Sequence, residues 1–294
     1  MNNPNEGLVL SIKRGIYEVE SANGITKCRA ATGIRKKEGR ILAGDRVVFS
    51  ENGIDGGFIT NICKRRNSLV RPPVANIDLL AIAVAVKDPE PFLYNTDLLS
   101  VIAEKNAIET VLLITKCDLG DPEAIENEYR NTGIKTVRTS FATGEGIESA
   151  REALKGKVSV LCGASGVGKS SLLNAMYPHL NAETGELSGR IARGRNTTRV
   201  TELFPLSGGT YLADTPGFTA IDTELYCEID HKELYTLFPE FSDLAGKCRY
   251  SDCTHTKEKE CAVARAAEEG FISRSRYSSY KKLFNELKSI NRYK

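Results

Sequence analysis

Three stretches of the chain have the residue types and spacing to handle a nucleoside triphosphate. Gly163-Ala164-Ser165-Gly166-Val167-Gly168-Lys169-Ser170 matches the phosphate-loop pattern G-x-x-x-x-G-K-[ST], after the strand-like Lys157 to Cys162 and before the helix-like Ser170 to Met176. Glycines there let backbone N–H groups converge on phosphate oxygens, and the following helix adds the positive end of its dipole. Lys169 is expected on the β- and γ-phosphates and the Ser170 hydroxyl on Mg²⁺, with Ser171 completing the binding set. Asp214-Thr215-Pro216-Gly217 follows the apolar Thr210 to Ala213; Asp214 suits water-mediated Mg²⁺ binding and the Gly217 N–H suits the γ-phosphate.

The third stretch, Thr115-Lys116-Cys117-Asp118, points to guanine. The Asp118 carboxylate can accept two hydrogen bonds from guanine N1 and its exocyclic amine, whereas adenine offers an acceptor at N1, which argues against an ATP-using enzyme. Lys116 would lie along the base plane. Thr115 stands where asparagine is usual and donates only one hydrogen bond, so a weaker contact to the base or the phosphate loop is expected. Ser140-Phe141-Ala142 resembles the Ser-Ala element whose backbone amide reads the guanine O6, which adds Ser140 and Ala142 to the set. The order is unusual: in ordinary small GTPases the Lys-x-Asp element follows both phosphate motifs, while here it precedes them.

A separate cluster, Cys248, Cys253, His255 and Cys261, offers three thiolates and one imidazole, a closed tetrahedral set for structural zinc with no position left for a catalytic water. The other cysteines stand singly and suit small buried hydrophobes in a reducing compartment.

The elements that must carry these motifs divide in three. Residues 1–70 alternate in the manner of short strands, as in Ile16-Tyr17-Glu18-Val19-Glu20, between turn signals such as Asn23-Gly24. Such a pattern fits a small barrel, an oligonucleotide-binding (OB) fold or an SH3-like one. Arg71-Pro72-Pro73 then breaks the chain. Over 71–222 the continuous apolar run Ile77 to Val86, helical spacing from Leu93 to Asn106, a strand at Thr110 to Thr115 and a helix at Pro122 to Arg130 describe an α/β domain with a parallel sheet. Residues 223–294 read as short helices around the cysteine cluster, closing on a helix whose Tyr277, Tyr280, Leu283, Phe284, Leu287 and Ile290 share one face.

Charge is uneven: residues 1–70 hold 12 Lys/Arg against 7 Asp/Glu, and residues 271–294 hold 7 against 1, although the whole chain is only +2. Basic ends around an acidic middle suit a polyanion such as RNA. The longest apolar run, Leu79 to Val86, is too short for a bilayer, and the first residues lack a signal peptide, so a cytoplasmic, monomeric protein with no membrane partner is expected.

Taken together, these motifs resemble the ribosome small-subunit-dependent GTPase A family, circularly permuted GTPases of bacterial ribosome assembly, over essentially the whole chain. The resemblance implies an N-terminal OB-fold β-barrel, a circularly permuted P-loop GTPase α/β domain and a small α-helical zinc-binding domain. It also implies GTP/GDP with Mg²⁺, one structural Zn²⁺, and partner-stimulated GTP hydrolysis controlling docking on the rRNA of the small ribosomal subunit in late maturation. Gly194-Arg195-Asn196-Thr197-Thr198 matches the family's switch segment, usually Gly-Arg-His-Thr-Thr. Thr198, with Thr197 as the alternative, is expected to close over Mg²⁺ and the γ-phosphate, and Asn196, which cannot serve as a general base, either to orient water or merely to cap a turn. The alternative is an RNA-binding module that keeps guanine nucleotide as a structural ligand with little turnover.

Overall fold

The computed structural model describes residues 6–34, 39–51, 56–70, 72–178, 202–213 and 228–290. They fall into two compact units. One contains 6–79, 154–161 and 202–213, and the other 80–153, 162–178 and 228–290.

In the first unit, β1 (Glu6–Lys13), β2 (Ile16–Ser21), β3 (Gly24–Ala30), β4 (Arg46–Glu51) and β5 (Gly57–Ile62) close into a barrel in the order β1-β2-β3-β5-β4. All neighbours pair antiparallel except β3 and β5, which run parallel. That order is the five-stranded Greek-key barrel of the OB type, so the SH3-like reading falls away. Period-2 alternation works as expected on β2 and β4, where Tyr17, Val19, Val47 and Phe49 point into a core shared with Val9, Cys28 and Ile59. Two further short strands, β6 (Ser68–Leu69) and β7 (Val74–Ala75), form a ribbon of their own.

The α/β region has a six-stranded sheet in the order β10-β9-β8-β11-β13-β12. Its strands are β8 (Leu79–Ala85), β9 (Glu109–Thr115), β10 (Lys135–Arg138), β11 (Val158–Gly163), β12 (Leu203–Pro205) and β13 (Tyr211–Ala213). The pairs β10/β9 and β11/β13 are parallel, and β12 is the antiparallel edge. Every residue of β8 is buried, which is why it reads as an unbroken apolar run: a central strand has two covered faces. Helices α1 (Leu93–Lys105), α2 (Glu123–Tyr129), α3 (Ile147–Leu154) and α4 (Lys169–Met176) alternate with these strands.

After residue 228 come short 3₁₀ turns and one α-helical turn at Ser242–Ala245, then α5 (Ala262–Glu268) and the long α6 (Arg274–Ile290). On α6, Tyr280, Leu283, Phe284 and Leu287 are buried, so the apolar face anticipated for the tail packs against the body. Arg276 lies on the same side, 2% exposed, with its Nε 2.5 Å from Glu240 Oε1 and its Nη1 2.9 Å from Asp97 Oδ1. Arg276 is therefore withdrawn from the basic surface expected of the tail. Burial alone would lower its pKa, but Glu240 and Asp97 outweigh that and hold it raised.

Candidate nucleotide site and metal centre

The phosphate loop leaves the end of β11 and enters α4, the geometry its glycines require. Gly163 has φ 135°, and a Cβ there would sit 2.2 Å from the Ala83 carbonyl oxygen, so only glycine lets β11 run so close to β8. Gly168, at φ 95°, is the left-handed residue that caps α4. Ala164, Ser165 and Gly166 are exposed, while Val167 is buried and anchors the loop from below. The Lys169 ammonium donates at 2.7 Å to both the Gly163 and Ala164 carbonyls, and burial pushes its pKa down. Those carbonyls hold the ammonium over the loop, where a phosphate oxygen can take their place as its partner. Ser170 is half-buried in the first turn of α4 and Ser171 is exposed.

The guanine-type element meets this loop directly. Thr115, 4% exposed at the end of β9, donates from Oγ1 to the Val167 carbonyl at 2.5 Å. The single hydroxyl hydrogen of Thr115 is thus directed at the phosphate loop. Lys116 follows with φ 57°, and its ammonium donates to the Asp88 carbonyl. The turn is pinned by the Cys117 N–H on the Thr139 carbonyl at 3.2 Å. Asp118 is exposed, and the fully buried Ser140 donates from Oγ to Asp118 Oδ1 at 2.5 Å. That bond uses one lone pair of the carboxylate and restrains its orientation, leaving acceptor capacity for a base edge. Ala142, beyond the exposed Phe141, is itself exposed. The structure therefore brings together Thr115, Lys116, Asp118, Ser140, Gly163 to Gly168, Lys169 and Ser170. Asn196, Thr197, Thr198, Asp214, Thr215 and Gly217 lie outside the described residues.

One participant went unnoticed in the sequence, the Asp88 carbonyl that holds Lys116. It sits in Lys87-Asp88-Pro89-Glu90-Pro91, whose two prolines mark an irregular loop at the end of β8, and that proline pair is the only available signal.

The potential metal ligands converge. One ligand atom each from Cys248, Cys253, His255 and Cys261 falls within a 4.8 Å set. Zinc with Zn–S of ~2.3 Å and Zn–N of ~2.0–2.1 Å in a tetrahedron needs edges of about 3.8 Å between sulfurs and about 3.6 Å from sulfur to nitrogen. The separations are 3.9 Å for Cys248–Cys261, 3.4 Å for Cys248 to His255 Nδ1, and 3.5 Å for Cys261 to Nδ1. Outer contacts orient the sulfurs: the Ala262 N–H donates to Cys248 Sγ and the Ala264 N–H to Cys261 Sγ, both at 3.4 Å. Burial lowers the His255 pKa, which favours the neutral imidazole a metal requires. Tyr235 and Phe241 pack edge-on against the ring and fix its plane. The donor set and its spacing fit structural zinc.

An OB barrel, a P-loop α/β domain in which the Lys-x-Asp loop precedes the phosphate loop, and a Cys₃His cluster in the C-terminal region together define a circularly permuted GTPase. A family model described as RsgA GTPase matches residues 62–224. A protein of Caldanaerobacter subterraneus subsp. tengcongensis named small ribosomal subunit biogenesis GTPase RsgA is 42% identical over 286 residues, covering 96% of each chain. The crystal structure of YjeQ from Thermotoga maritima superposes with a TM-score of 0.82 at 38% identity, covering 96% of this chain and 98% of that one. That of YloQ, described as a circularly permuted GTPase, gives 0.78 at 28% identity, covering 98% and 96%. The chain belongs to the RsgA GTPase family.

Proposed function

We propose that the chain hydrolyses GTP to GDP and phosphate in the maturation of the small ribosomal subunit, in the cytoplasm, with its nucleotide state controlling docking on rRNA. The observation that carries this reading is the Thr115–Val167 tether, which joins a guanine-type carboxylate to the phosphate loop. Support for the ribosomal role comes from the relatives' name, the OB barrel and the basic balance of residues 1–70.

In this reading Lys169 and the loop amides hold the phosphates, Asp118 and Ser140 select guanine, and Ser170 with Asp214 holds Mg²⁺, which neutralises charge on the phosphates when bound. Thr198 and the Gly217 N–H close on the γ-phosphate, and Asn196 orients the attacking water by hydrogen bonding. With no base on the switch segment, intrinsic turnover is slow and rises when the partner orders that segment. The domains are 1–70, 71–222 and 223–294, the last stapled by one zinc ion. The protein acts as a monomer without a membrane partner, and among the described residues no helix is long and apolar enough to cross a membrane.

The test is nucleotide turnover, GTP against ATP, titrated with purified small subunits. Stimulated GTP turnover that ATP does not reproduce is expected. Absence of GTP hydrolysis with and without subunits refutes the reading and favours a nucleotide-bound RNA-binding module.

A further inference from the structure

A groove of about 390 Å³ lies between the start of α1 and α6, and none of its lining residues belongs to the phosphate loop or to the metal cluster. Its floor and walls are Pro91, Phe92 and Tyr94 on one side and Ser275, Ser278 and Lys282 on the other. Its volume is within the ~300–1,000 Å³ of small-molecule sites. Phe92 is 59% exposed, so much of its ring is open to a planar partner. Tyr94 is fixed by its hydroxyl, which donates to Glu286 at 2.6 Å, and its ring stands 6.1 Å from that of Phe92. The Lys282 ammonium sits 3.7 Å from the Tyr94 ring centroid and 5.9 Å from that of Phe92. Among the described residues it makes no ion pair, and Glu286, the one acid of α6, is engaged by Tyr94.

An exposed aromatic ring, a cation held over the neighbouring Tyr94 ring and hydroxyls opposite are the parts that bind one unpaired nucleotide: the Phe92 ring stacks on the base, the ammonium meets the phosphate, and the serines reach sugar oxygens. A duplex cannot use them, because its bases are stacked on one another. An acidic peptide would meet the ammonium but leave the bare ring without a planar partner. Arg274, Lys281 and Lys288 on the same helix extend the positive charge along which a strand would run.

We infer that the Phe92–Tyr94–Lys282 groove is a stacking subsite for an unpaired nucleotide of single-stranded RNA. This rests on the ribosomal reading above and adds a second RNA contact, outside the barrel.

The chain contains no tryptophan, so Phe92→Trp keeps a stacking ring and installs a single indole reporter. The probe is an unstructured eight-nucleotide oligoadenylate added to the full-length protein. Saturable quenching of the indole is expected, with the midpoint raised about tenfold by Lys282→Ala in the same background. Intrinsic GTP turnover stays unchanged in both variants. Three results overturn the inference: no quenching, whether or not the oligonucleotide binds elsewhere by anisotropy; equal quenching by an RNA duplex or by polyphosphate, which indicates charge alone; or an emission change with whole small subunits only, which indicates a protein occupant. Subunit-stimulated GTP turnover of the unsubstituted protein separates the two readings. Stimulation without quenching removes the groove alone, whereas no stimulation removes the ribosomal role.

Discussion

Arg276→Ala tests whether the C-terminal helix is held to the α/β body by a buried ionic clamp. The guanidinium is 2% exposed and meets two carboxylates that are also buried, Asp97 at 2% and Glu240 at 7%. It also donates to Ser100 Oγ at 3.1 Å and lies 4.7 Å from the Phe238 ring centroid. Removing it leaves two carboxylates in low dielectric with, among the described residues, one remaining donor between them, the Tyr129 hydroxyl, which reaches Asp97 Oδ1 at 2.8 Å. Among the described residues Asp97 Oδ2 has no partner even with the arginine in place, so Asp97 cannot absorb the loss. Breaking a buried ion pair from one side costs about 3–5 kcal/mol, much more than the ~0–1 kcal/mol of an exposed pair such as Arg249–Glu260. In a body of this size ~1 kcal/mol moves Tm by ~2–4 °C, so a fall of about 6–20 °C is expected. Calorimetry of Arg276→Ala beside Arg249→Ala is the assay. Because isosteric apolar replacement of a whole buried network can be neutral, Arg276→Met with Asp97→Leu and Glu240→Met is expected to recover at least half of the loss. A fall below ~2 °C for Arg276→Ala, or no recovery in the triple variant, refutes the argument that uncompensated buried charge dominates.

Thr115→Val keeps shape but strands the buried Val167 carbonyl; at ~1–2 kcal/mol this weakens GDP and GTP binding about tenfold, read by titration with a fluorescent analogue, and unchanged affinity would show the tether to be idle. Asp118→Asn is expected to erase the preference for GTP over ATP while leaving phosphate-loop contacts intact, checked by competition binding. Cys253→Ser should drop bound zinc from about one equivalent to well under half after chelator-free purification and expose residues 228–290 to protease, with full zinc retention counting against the tetrahedral site. Asn196→Ala is expected to lower subunit-stimulated GTP turnover at least tenfold while sparing GDP binding; equal turnover would remove it from water positioning.

Legibility in the sequence followed how local each determinant is. The phosphate loop is a strand, a turn and a helix in contiguous residues, so glycine spacing reports it directly. The zinc ligands span 14 residues from Cys248 to Cys261 and are rare residue types, so their clustering is informative before any contact is known. Strand β1 is harder: five successive buried residues from Gly7 to Ser11 and a bulge between Val9 and Ser11 remove the alternation that revealed β2. Helix α3 and strand β10 escaped because they are short: two helical turns carrying Ile147, Ala150 and Leu154, and four residues of strand, are too few repeats to stand out from loop. Arg276 was hidden by its neighbours. In a tail of lysines and arginines nothing local separates the residue that turns inward from those facing water, because its partners, Asp97 and Glu240, stand far away in the chain.

That separation carries a consequence for the newborn chain. Asp97 and Arg276 are 179 residues apart, and at ~5–20 residues per second the carboxylate waits roughly 9–36 s for its cation, whereas Thr115 finds Val167, 52 residues on, within about 3–10 s. During synthesis the nucleotide pocket can therefore assemble while α1 still carries a carboxylate whose partner has not been made. Bound nucleotide, available early, is then the stabiliser of a half-finished body, and α6 locks it only once Arg276 has been made.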